Sequence, residues 1–229
     1  MFKMHLFLLG NTPALGLVVT DLMALAGENP RVTVLCAGAK WPKYAPQYLQ
    51  TFLEAGASEV RFVGEEDGVL DLQKARENIE AASLLLVAGG DTYLYQQHYV
   101  LSELSDLIRQ KVRSGIPYAG ISAGAILACL TCVIPEEDRT APEQPHYLPG
   151  FGFMTTALVF PHFTEWNGLA ELQQAASELY IQEAWGLDEN SAAHFHNGEL
   201  VHTYGEWVWK VPQEGEPERI SLDAPILIG

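Results

Sequence analysis

The sequence predicts an α/β fold, in which helices flank a doubly wound, mostly parallel sheet and antiparallel hairpins follow near the C-terminal end. Short apolar runs recur along the chain and stop at or near glycine, at residues 5–10, 32–38, 59–64, 83–90 and 116–121. Continuous apolar runs of this length are typical of parallel strands that are covered on both faces. Helical patterns separate the runs, which predicts a βαβ succession. The turn signal Asn197-Gly198, within residues 192–212, predicts the hairpins.

The helices between these strands have identifiable ends. Asn11 or Thr12 is placed to cap a first helix, which holds Pro13 in its first turn and ends at Gly27. Helical spacing predicts further helices over residues 43–55, 71–81 and 102–114, and Gly115 stops the last of them. Beyond the fifth strand we expect an apolar helix over 125–133, a strand over 156–160, a helix over 167–182 and an apolar strand-like segment over 184–187.

Length and composition indicate one soluble domain over residues 1–229. A chain of 229 residues with 48% apolar content can bury a substantial core, and no apolar run approaches the roughly 18 residues of a membrane span. The apolar N-terminus is short and contains His5, so we interpret it as a strand and expect a cytoplasmic protein. The net charge of −16 argues against nucleic acid and anionic membranes as partners.

The three cysteines do not form a convincing redox or metal motif. Cys129 and Cys132 have C-x-x-C spacing, but they fall inside the predicted apolar helix, and only Cys36 is left to join them. A redox pair needs exposure at a helix N-terminus, and a metal site needs a second pair of ligands. We therefore expect buried, reduced thiols, which fit a reducing compartment.

Ser122 lies at the centre of the most informative motif, Gly120-Ile121-Ser122-Ala123-Gly124. A G-x-S-x-G sequence between a buried strand and a helix is the context of a nucleophile elbow, in which a sharp turn lifts the serine hydroxyl above the sheet edge. A free hydroxyl is a poor nucleophile, but in such a turn a base can reach it and backbone N–H groups face it. A plain glycine-rich turn is the alternative interpretation.

Strand ends supply candidates for the base and the carboxylate of a serine hydrolase site. His162 follows the apolar run 156–160, which places it at the sheet edge where Ser122 also lies. Asp188 and Glu189 close the segment 184–187, where a carboxylate would be held rigidly enough to orient an imidazole. The acidic stretch 136–138 is a rival, which we interpret as a solvated loop.

Backbone N–H groups at two strand ends could hold an oxyanion. The turn Gly89-Gly90-Asp91 ends the fourth strand, next to a helix that starts at Asp91 or Thr92. The N–H groups of Gly90 and Ala123 would converge on one oxygen, and one such donor typically contributes about 3 kcal/mol of transition-state stabilisation. A phosphate-binding turn is the alternative, although the sequence contains neither a G-x-G-x-x-G fingerprint nor a Walker motif.

With these segments in place, the chain resembles the peptidase E and cyanophycinase family of serine peptidases over roughly residues 5–195. The match is carried by residues 89–92 (GGDT), 120–125 (GISAGA), 161–163 (PHF) and 186–189 (GLDE). The resemblance implies a fold like that of the class I glutamine amidotransferases, with serine in place of cysteine at the elbow. It also implies a triad of Ser122, His162 and Glu189, with Gly90 and Ala123 as oxyanion donors.

Members of this family mostly act on short peptides: peptidase E cleaves dipeptides with N-terminal Asp, and cyanophycinase cleaves β-aspartyl-arginine units. An Asp side chain or a free carboxylate needs a cation, preferably Arg. Residues 164–182, after the predicted base, contain neither Arg nor Lys. Arg139, in the Pro-rich loop 135–149, is the nearest candidate, so a carboxypeptidase-type or cyanophycinase-like specificity, rather than that of an aspartyl dipeptidase, stays open. We expect Asp91, Thr92 and Arg139 to contact the substrate.

The leading hypothesis is therefore a cytoplasmic serine exopeptidase that needs no metal or organic cofactor. We expect a small peptide as its substrate, and we leave a homodimer open. One alternative is an esterase that uses His194 or His202 as the base. Another is a non-catalytic binding protein in which Ser122 is only a turn residue. His194 and His196 form an H-x-H pair, but no acidic or cysteine ligand joins them at convincing spacing, so we expect no metal site.

Overall fold

The computed structural model describes residues 3–141, 143–205 and 207–222. The ends of the predicted domain 1–229, together with residues 142 and 206, lie outside the described residues. The strands are β1 (His5–Leu9), β2 (Arg31–Leu35), β3 (Glu59–Val63), β4 (Leu84–Val87), β5 (Tyr118–Ile121), β6 (Thr131–Val133), β7 (Tyr147–Pro149), β8 (Ala157–Pro161), β9 (Glu183–Leu187), β10 (Ala192–His196), β11 (Glu199–Tyr204), β12 (Val208–Val211) and β13 (Glu218–Ile220).

The helices are α1 (Leu15–Ala26), α2 (Trp41–Glu54), α3 (Leu72–Ala81), α4 (Thr92–Tyr95), α5 (Ser105–Arg113), α6 (Ala123–Leu127) and α7 (Leu169–Glu178). Short 3₁₀ turns lie at Thr12–Ala14 and Glu136–Asp138, and a π-helical turn at Gln96–Val100 continues α4. Among the described residues, every helix is too short or too polar to span a bilayer.

The central sheet has seven strands in the order β11-β10-β1-β5-β4-β2-β3. The five strands from β1 to β3 in this order run parallel, and β10 and β11 add an antiparallel edge beside β1. A second sheet has the order β13-β12-β9-β8, with β8 and β9 parallel. The predicted α/β fold class, a mostly parallel sheet with C-terminal antiparallel strands, is confirmed.

Local sequence signals account for the helix ends of the first half. Asn11 Oδ1 accepts a hydrogen bond from Ala14 N at 3.2 Å, and Gly27 takes a φ of +81° where α1 ends. Asp71 Oδ1 accepts from Lys74 N at 3.0 Å at the start of α3. The predicted segments 12–27, 43–55 and 71–81 therefore form helices close to the expected boundaries.

The predicted helix over 125–133 is wrong beyond its first three residues. Helix α6 ends at Leu127, and the chain continues into β6, which pairs with β7. The physical reason is competition for carbonyl groups: Ala128 O accepts from Phe153 N at 2.9 Å and from Met154 N at 3.0 Å. With these acceptors occupied by a distant segment, the helix has no partners with which to continue.

The cysteines are buried and free of disulfide bonds, as predicted, but Cys129 and Cys132 lie in a bridge and in β6 rather than in a helix. Burial raises the pKa of the Cys36 and Cys129 thiols to about 12. Thiols with such pKa values are protonated at neutral pH and react poorly.

The predicted hairpin around Asn197-Gly198 is present between β10 and β11, with φ values of +53° and +89° at its two turn residues. The rest of the segment 192–212 departs from the prediction, because β12 pairs with β9 in the second sheet instead of with β11.

The two sheets meet at the carboxyl end of β1. A Cβ placed on Gly10 would lie only 2.1 Å from Asp188 O, so the chain after β1 and the chain after β9 touch through backbone atoms. Gly10 N also donates to Ser191 O at 3.0 Å. This close approach brings the residues that follow β8 and β9 to the edge where β5 ends.

Candidate active site

Ser122 occupies a strained turn between β5 and α6. Its φ of +49° and ψ of −106° define a backbone conformation that residues with a Cβ rarely adopt. The turn is held by Ser122 N, which donates to Leu9 O at 2.9 Å. Gly120 and Gly124, on either side of Ser122, leave no room for a side chain. A Cβ on Gly120 would lie 2.3 Å from Gly124 O, and one on Gly124 would lie 2.2 Å from Val87 O.

His162 brings its imidazole to the Ser122 hydroxyl. It follows Pro161 at the end of β8 with a φ of +53°, and its side chain is only 13% exposed. Nε2 lies 3.1 Å from Ser122 Oγ, and Nδ1 lies 3.0 Å from Glu189 Oε1. The three residues therefore form a continuous chain of hydrogen bonds at the rim of the sheet.

The two carboxylates at the end of β9 have different surroundings. Asp188 is buried, and its oxygens accept from Thr164 N at 2.9 Å and from Trp209 Nε1 at 3.1 Å. Glu189 is 44% exposed and contacts the imidazole of His162. Asp188 thus ties β9 to the segment after β8, and Glu189 is the carboxylate that the structure brings to His162.

Gly90 and Ala123, the two predicted oxyanion donors, lie in the turns after β4 and β5. Gly90 follows β4 with a φ of +148°, and Ala123 is the first residue of α6. Within the part of the chain that the structure describes, neither N–H donates a hydrogen bond. Donors without an internal acceptor beside a serine hydroxyl are what an oxyanion requires.

The side chains of Asp91 and Thr92 already make hydrogen bonds within the protein. Asp91 Oδ1 caps α4 by accepting from Tyr93 N at 3.0 Å and from Leu94 N at 3.2 Å. Thr92 is fully buried, and its hydroxyl donates to Asp138 Oδ2 at 2.5 Å. The exposed carboxylate of Asp91 remains open to a ligand, whereas Thr92 contacts Asp138.

The interpretation of residues 136–138 as a solvated loop is wrong for Asp138. This residue is half-buried, because the 3₁₀ turn folds back onto α4 and its carboxylate meets Thr92. Burial raises the pKa of Asp138, and the Thr92 hydrogen bond and the nearby His162 act in the opposite direction. Sequence reasoning set this carboxyl group aside, since nothing in the loop sequence shows which way it folds.

The guanidinium of Arg139 contacts residues outside the predicted triad. Its Nη1 lies 2.5 Å from His146 Nε2, and its Nη2 lies 3.8 Å from Glu171 Oε1. With these neighbours it lines a separate cavity of about 600 Å³ between the loop and α7. The contacts of its guanidinium do not include Ser122, His162 or Glu189.

His194 and His202 are not placed to serve Ser122. His194 Nε2 lies 3.0 Å from His5 Nδ1 near the amino end of β1, and His202 is its partner across β10 and β11. Ser122 instead contacts Leu9 at the carboxyl end of β1. In the described residues, no group of three or more His, Cys, Asp or Glu side chains is arranged to hold a metal ion.

Sequence reasoning also missed a cavity next to the serine turn, lined by Trp41, Tyr44 and Tyr48. The signal was available, because these aromatic residues recur three and four positions apart just after the second strand. That spacing places them on one face of a helix that starts at the sheet edge.

The chain is similar to proteins of known families. The family described as Peptidase family S51 matches residues 6–203. A cyanophycinase of Geminocystis herdmanii is 25% identical over 185 residues, which cover 79% of this chain and 68% of that protein. A peptidase E of Haemophilus influenzae is 31% identical over 134 residues, which cover 54% of this chain and 59% of that protein.

A solved structure, of a peptidase from an acI-B1 Actinobacterium, has a similar fold. It superposes with a TM-score of 0.72 and 20% sequence identity, and the match covers 96% of this chain and 95% of the other. At this identity the similarity concerns the fold alone.

Proposed function

This chain belongs to peptidase family S51 and is a serine-type peptidase, and we propose that Ser122, His162 and Glu189 are its catalytic triad. The hydrogen-bonded chain from Ser122 Oγ through His162 to Glu189 Oε1, with distances of 3.1 Å and 3.0 Å, is the observation that carries the proposal. A nucleophile bonded to a base, which is itself bonded to a carboxylate, is the arrangement that activates a serine.

In the first half of the reaction, Ser122 Oγ forms a bond to the scissile carbonyl carbon while its proton passes to His162 Nε2. Glu189 accepts the Nδ1–H of His162 and stabilises the imidazolium that forms. The negative charge develops on the carbonyl oxygen, which the N–H groups of Gly90 and Ala123 receive. Collapse of the tetrahedral intermediate then breaks the C–N bond, and His162 returns the proton to the leaving amine.

In the second half, water attacks the acyl-enzyme and His162 removes its proton. The same N–H groups receive the second oxyanion, and the proton on His162 is returned to Ser122 Oγ as the acid product leaves. We propose short peptides as substrates and an exopeptidase action, because the relatives are named peptidase E and cyanophycinase. Asp91 is proposed to contact the peptide, since its carboxylate lies exposed beside Gly90.

We also propose that one domain carries the whole activity and that the protein is cytoplasmic, which the buried free thiols support. A homodimer remains compatible with this proposal. Thr92 donates its hydroxyl to Asp138, and Arg139 contacts His146 and Glu171 rather than the triad, so the proposal does not include their predicted substrate role.

The test is hydrolysis of a panel of dipeptides and of peptides blocked at either end, by wild type and Ser122→Ala. We expect wild type to release amino acids and Ser122→Ala to lose measurable turnover while keeping the wild-type circular dichroism spectrum. Hydrolysis that persists in Ser122→Ala would refute the proposal. The blocked peptides separate an enzyme that needs a free amino end from one that needs a free carboxyl end.

A further inference from the structure

A cavity of about 560 Å³ lies at the carboxyl ends of β2 and β4. Its walls come from the segment after β2, from the start of α2 and from the turn after β4. Four aromatic side chains line it: Trp41, Tyr44, Tyr48 and Tyr95. A concave site with apolar and aromatic walls and few polar groups is typical of a binding pocket for an organic ligand.

Two of the aromatic walls, Trp41 and Tyr95, are held in place by contacts within the protein. Trp41 Nε1 donates to Glu65 O at 2.9 Å, and its ring stacks on Phe62 with centroids 5.9 Å apart. The Glu65 carboxylate accepts from Gly38 N at 2.6 Å, which holds the loop that leads into α2. Tyr95 OH donates to Gly89 O at 3.2 Å. A preformed pocket avoids the entropy cost of ordering its walls on binding.

The cavity adjoins the serine through the turn after β4. Gly89 and Gly90 both line the cavity. A Cβ placed on Gly89 would lie 3.5 Å from the Cβ of Ser122, so the space between this part of the cavity wall and the serine has room for about one carbon atom. A peptide whose carbonyl oxygen rests on Gly90 N–H would therefore have the cavity directly beside it.

The base approaches from the opposite side. In the central sheet β5 lies between β1 and β4, and the cavity lies mainly over β4 and β2, with Thr12, which follows β1, also in its lining. The segment with Glu189 contacts the end of β1, where Asn190 N donates to Asn11 Oδ1 at 3.0 Å. Because His162 must protonate the leaving amine, the amine points towards the β1 side and the acyl residue points towards the cavity.

The charges around the cavity do not suit a carboxylate. Lys40 is the cation among its described lining residues, and it is exposed, with no hydrogen bond or ion pair in the described residues to hold its ammonium. Asp91, also exposed, brings a negative charge to the same rim. Tight recognition of a carboxylate calls for an anchored cation, preferably the planar fork of an Arg.

We propose that this cavity is the specificity pocket for the residue that supplies the scissile carbonyl, and that it takes an aromatic or large aliphatic side chain. The inference rests on the proposed function, since it assumes that Ser122 attacks a peptide carbonyl. It assigns a substrate class different from the N-terminal Asp that the resemblance to peptidase E implies.

The first test compares dipeptides that differ only in the first residue: Phe-Ala, Leu-Ala, Gly-Ala and Asp-Ala. We expect kcat/KM for Phe-Ala and Leu-Ala to exceed that for Asp-Ala and Gly-Ala by at least about tenfold. A higher value for Asp-Ala that falls in Lys40→Gln would overturn the proposal. A preference that follows the second residue, in Ala-Phe against Ala-Ala, would also overturn it.

Substitutions of the cavity residues test whether the preference for a large first residue arises in this cavity. Tyr44 is 50% exposed at the rim, so Tyr44→Ala should fold and should lower the Phe-to-Gly ratio of kcat/KM several-fold. Trp41→Ala should lower it further. Leu53→Ala is the matched control, because Leu53 lies on the same helix at 49% exposure and does not line the cavity. An unchanged ratio in both pocket variants would refute the assignment.

Binding to Ser122→Ala separates this inference from the proposed function. If wild type hydrolyses none of the peptides, the proposed function fails, and calorimetry of Phe-Ala and Asp-Ala with Ser122→Ala still tests the pocket. Tighter binding of Phe-Ala, weakened in the double variant with Tyr44→Ala, would support the pocket. Equal affinities, or tighter binding of Asp-Ala, would overturn it.

Discussion

The imidazole of His162 stacks on the indole of Trp166, with ring centroids 4.3 Å apart and planes inclined by 27°. Trp166 N also donates to His162 O at 2.9 Å, so the turn after β8 carries both rings as one unit. The backbone of His162 is in the left-handed region, and the indole face of Trp166 supports its imidazole. The stack leaves both ring nitrogens free for Ser122 and Glu189.

We expect Trp166→Ala to lower kcat by about three- to thirtyfold, because the indole both positions the imidazole and stabilises the imidazolium by about 0.5–2 kcal/mol. Trp166→Phe keeps an aromatic face and should recover part of the loss. Steady-state kinetics on the best dipeptide measures both variants. A rise in KM at constant kcat would show instead that Trp166 contacts substrate.

Glu189 and Asp188 should respond oppositely to substitution. Glu189→Gln keeps the size of the side chain but removes the charge opposite His162, so we expect kcat to fall at least about a hundredfold with little change in Tm. Asp188→Ala removes the buried acceptor of Thr164 N and Trp209 Nε1, which should cost about 1–3 kcal/mol of stability, or about 2–12 °C in Tm. Thermal unfolding and kcat, measured on both proteins, check the pair. A wild-type Tm together with a low kcat in Asp188→Ala would show that Asp188, and not Glu189, has the catalytic role.

Gly124→Ala should be poorly tolerated, because its Cβ would meet Val87 O at 2.2 Å, where backbone cannot move aside. We expect at least about 2 kcal/mol of destabilisation, with loss of activity as the serine turn shifts. Gly16→Ala makes the same chemical change in α1, where a Cβ meets nothing within 4 Å. Better helix propensity should raise stability there by about 0.5–1 kcal/mol. Urea unfolding compares the two variants, and equal effects would contradict the packing argument.

The proximity of Ser122, His162 and Glu189 was predictable because each lies within two residues of the end of an apolar strand. Carboxyl ends of parallel strands share one edge, so three strand ends become one site without knowledge of the loops. Strand β8, which precedes His162, lies in the second sheet. Its carboxyl end still reaches the same edge, because Gly10 lets the two sheets touch there.

Two wrong predictions, of a helix over 125–133 and of a solvated Asp138, have a different origin. The apolar segment 125–133 reads equally well as a buried helix and as a helix followed by a strand, and only pairing with residues 147–154 decides between them. Asp138 was misjudged for the same reason, because its burial depends on Thr92, which is 46 positions away in sequence. Local pattern carries no information about such distant partners.

The histidines at the other end of β1 form a cluster in which His194 is buried and His5 and His196 are half-buried. His5 Nδ1 lies 3.0 Å from His194 Nε2, and the rings of His5 and His196 stack with centroids 4.4 Å apart. Burial lowers the pKa of His194 to about 3, with a further contribution from His5, and burial lowers the pKa of His5 to about 4. Both imidazoles are therefore neutral in the folded protein at neutral pH.

This cluster should make the fold sensitive to mild acid. A histidine in the unfolded chain has a pKa of about 6.5, so below that pH the unfolded state binds protons that folded His194 and His5 cannot. Protonation then favours unfolding, and stability falls as the pH drops from about 6.5 towards the folded pKa values, by up to about 1.4 kcal/mol per pH unit for His194. Above about pH 7 the contribution is complete and constant.

Urea unfolding between about pH 7.5 and about pH 4.5 measures this loss in wild type and in His194→Phe, whose ring can keep the stack on Phe7. Carboxylates elsewhere titrate in both proteins, so the difference between the two isolates the histidine. We expect the free energy of unfolding to fall less steeply in the variant, and its stability relative to wild type to improve as the pH decreases. Parallel curves for the two proteins would show that His194 is already protonated in the folded state or that its neighbours take up the charge without cost.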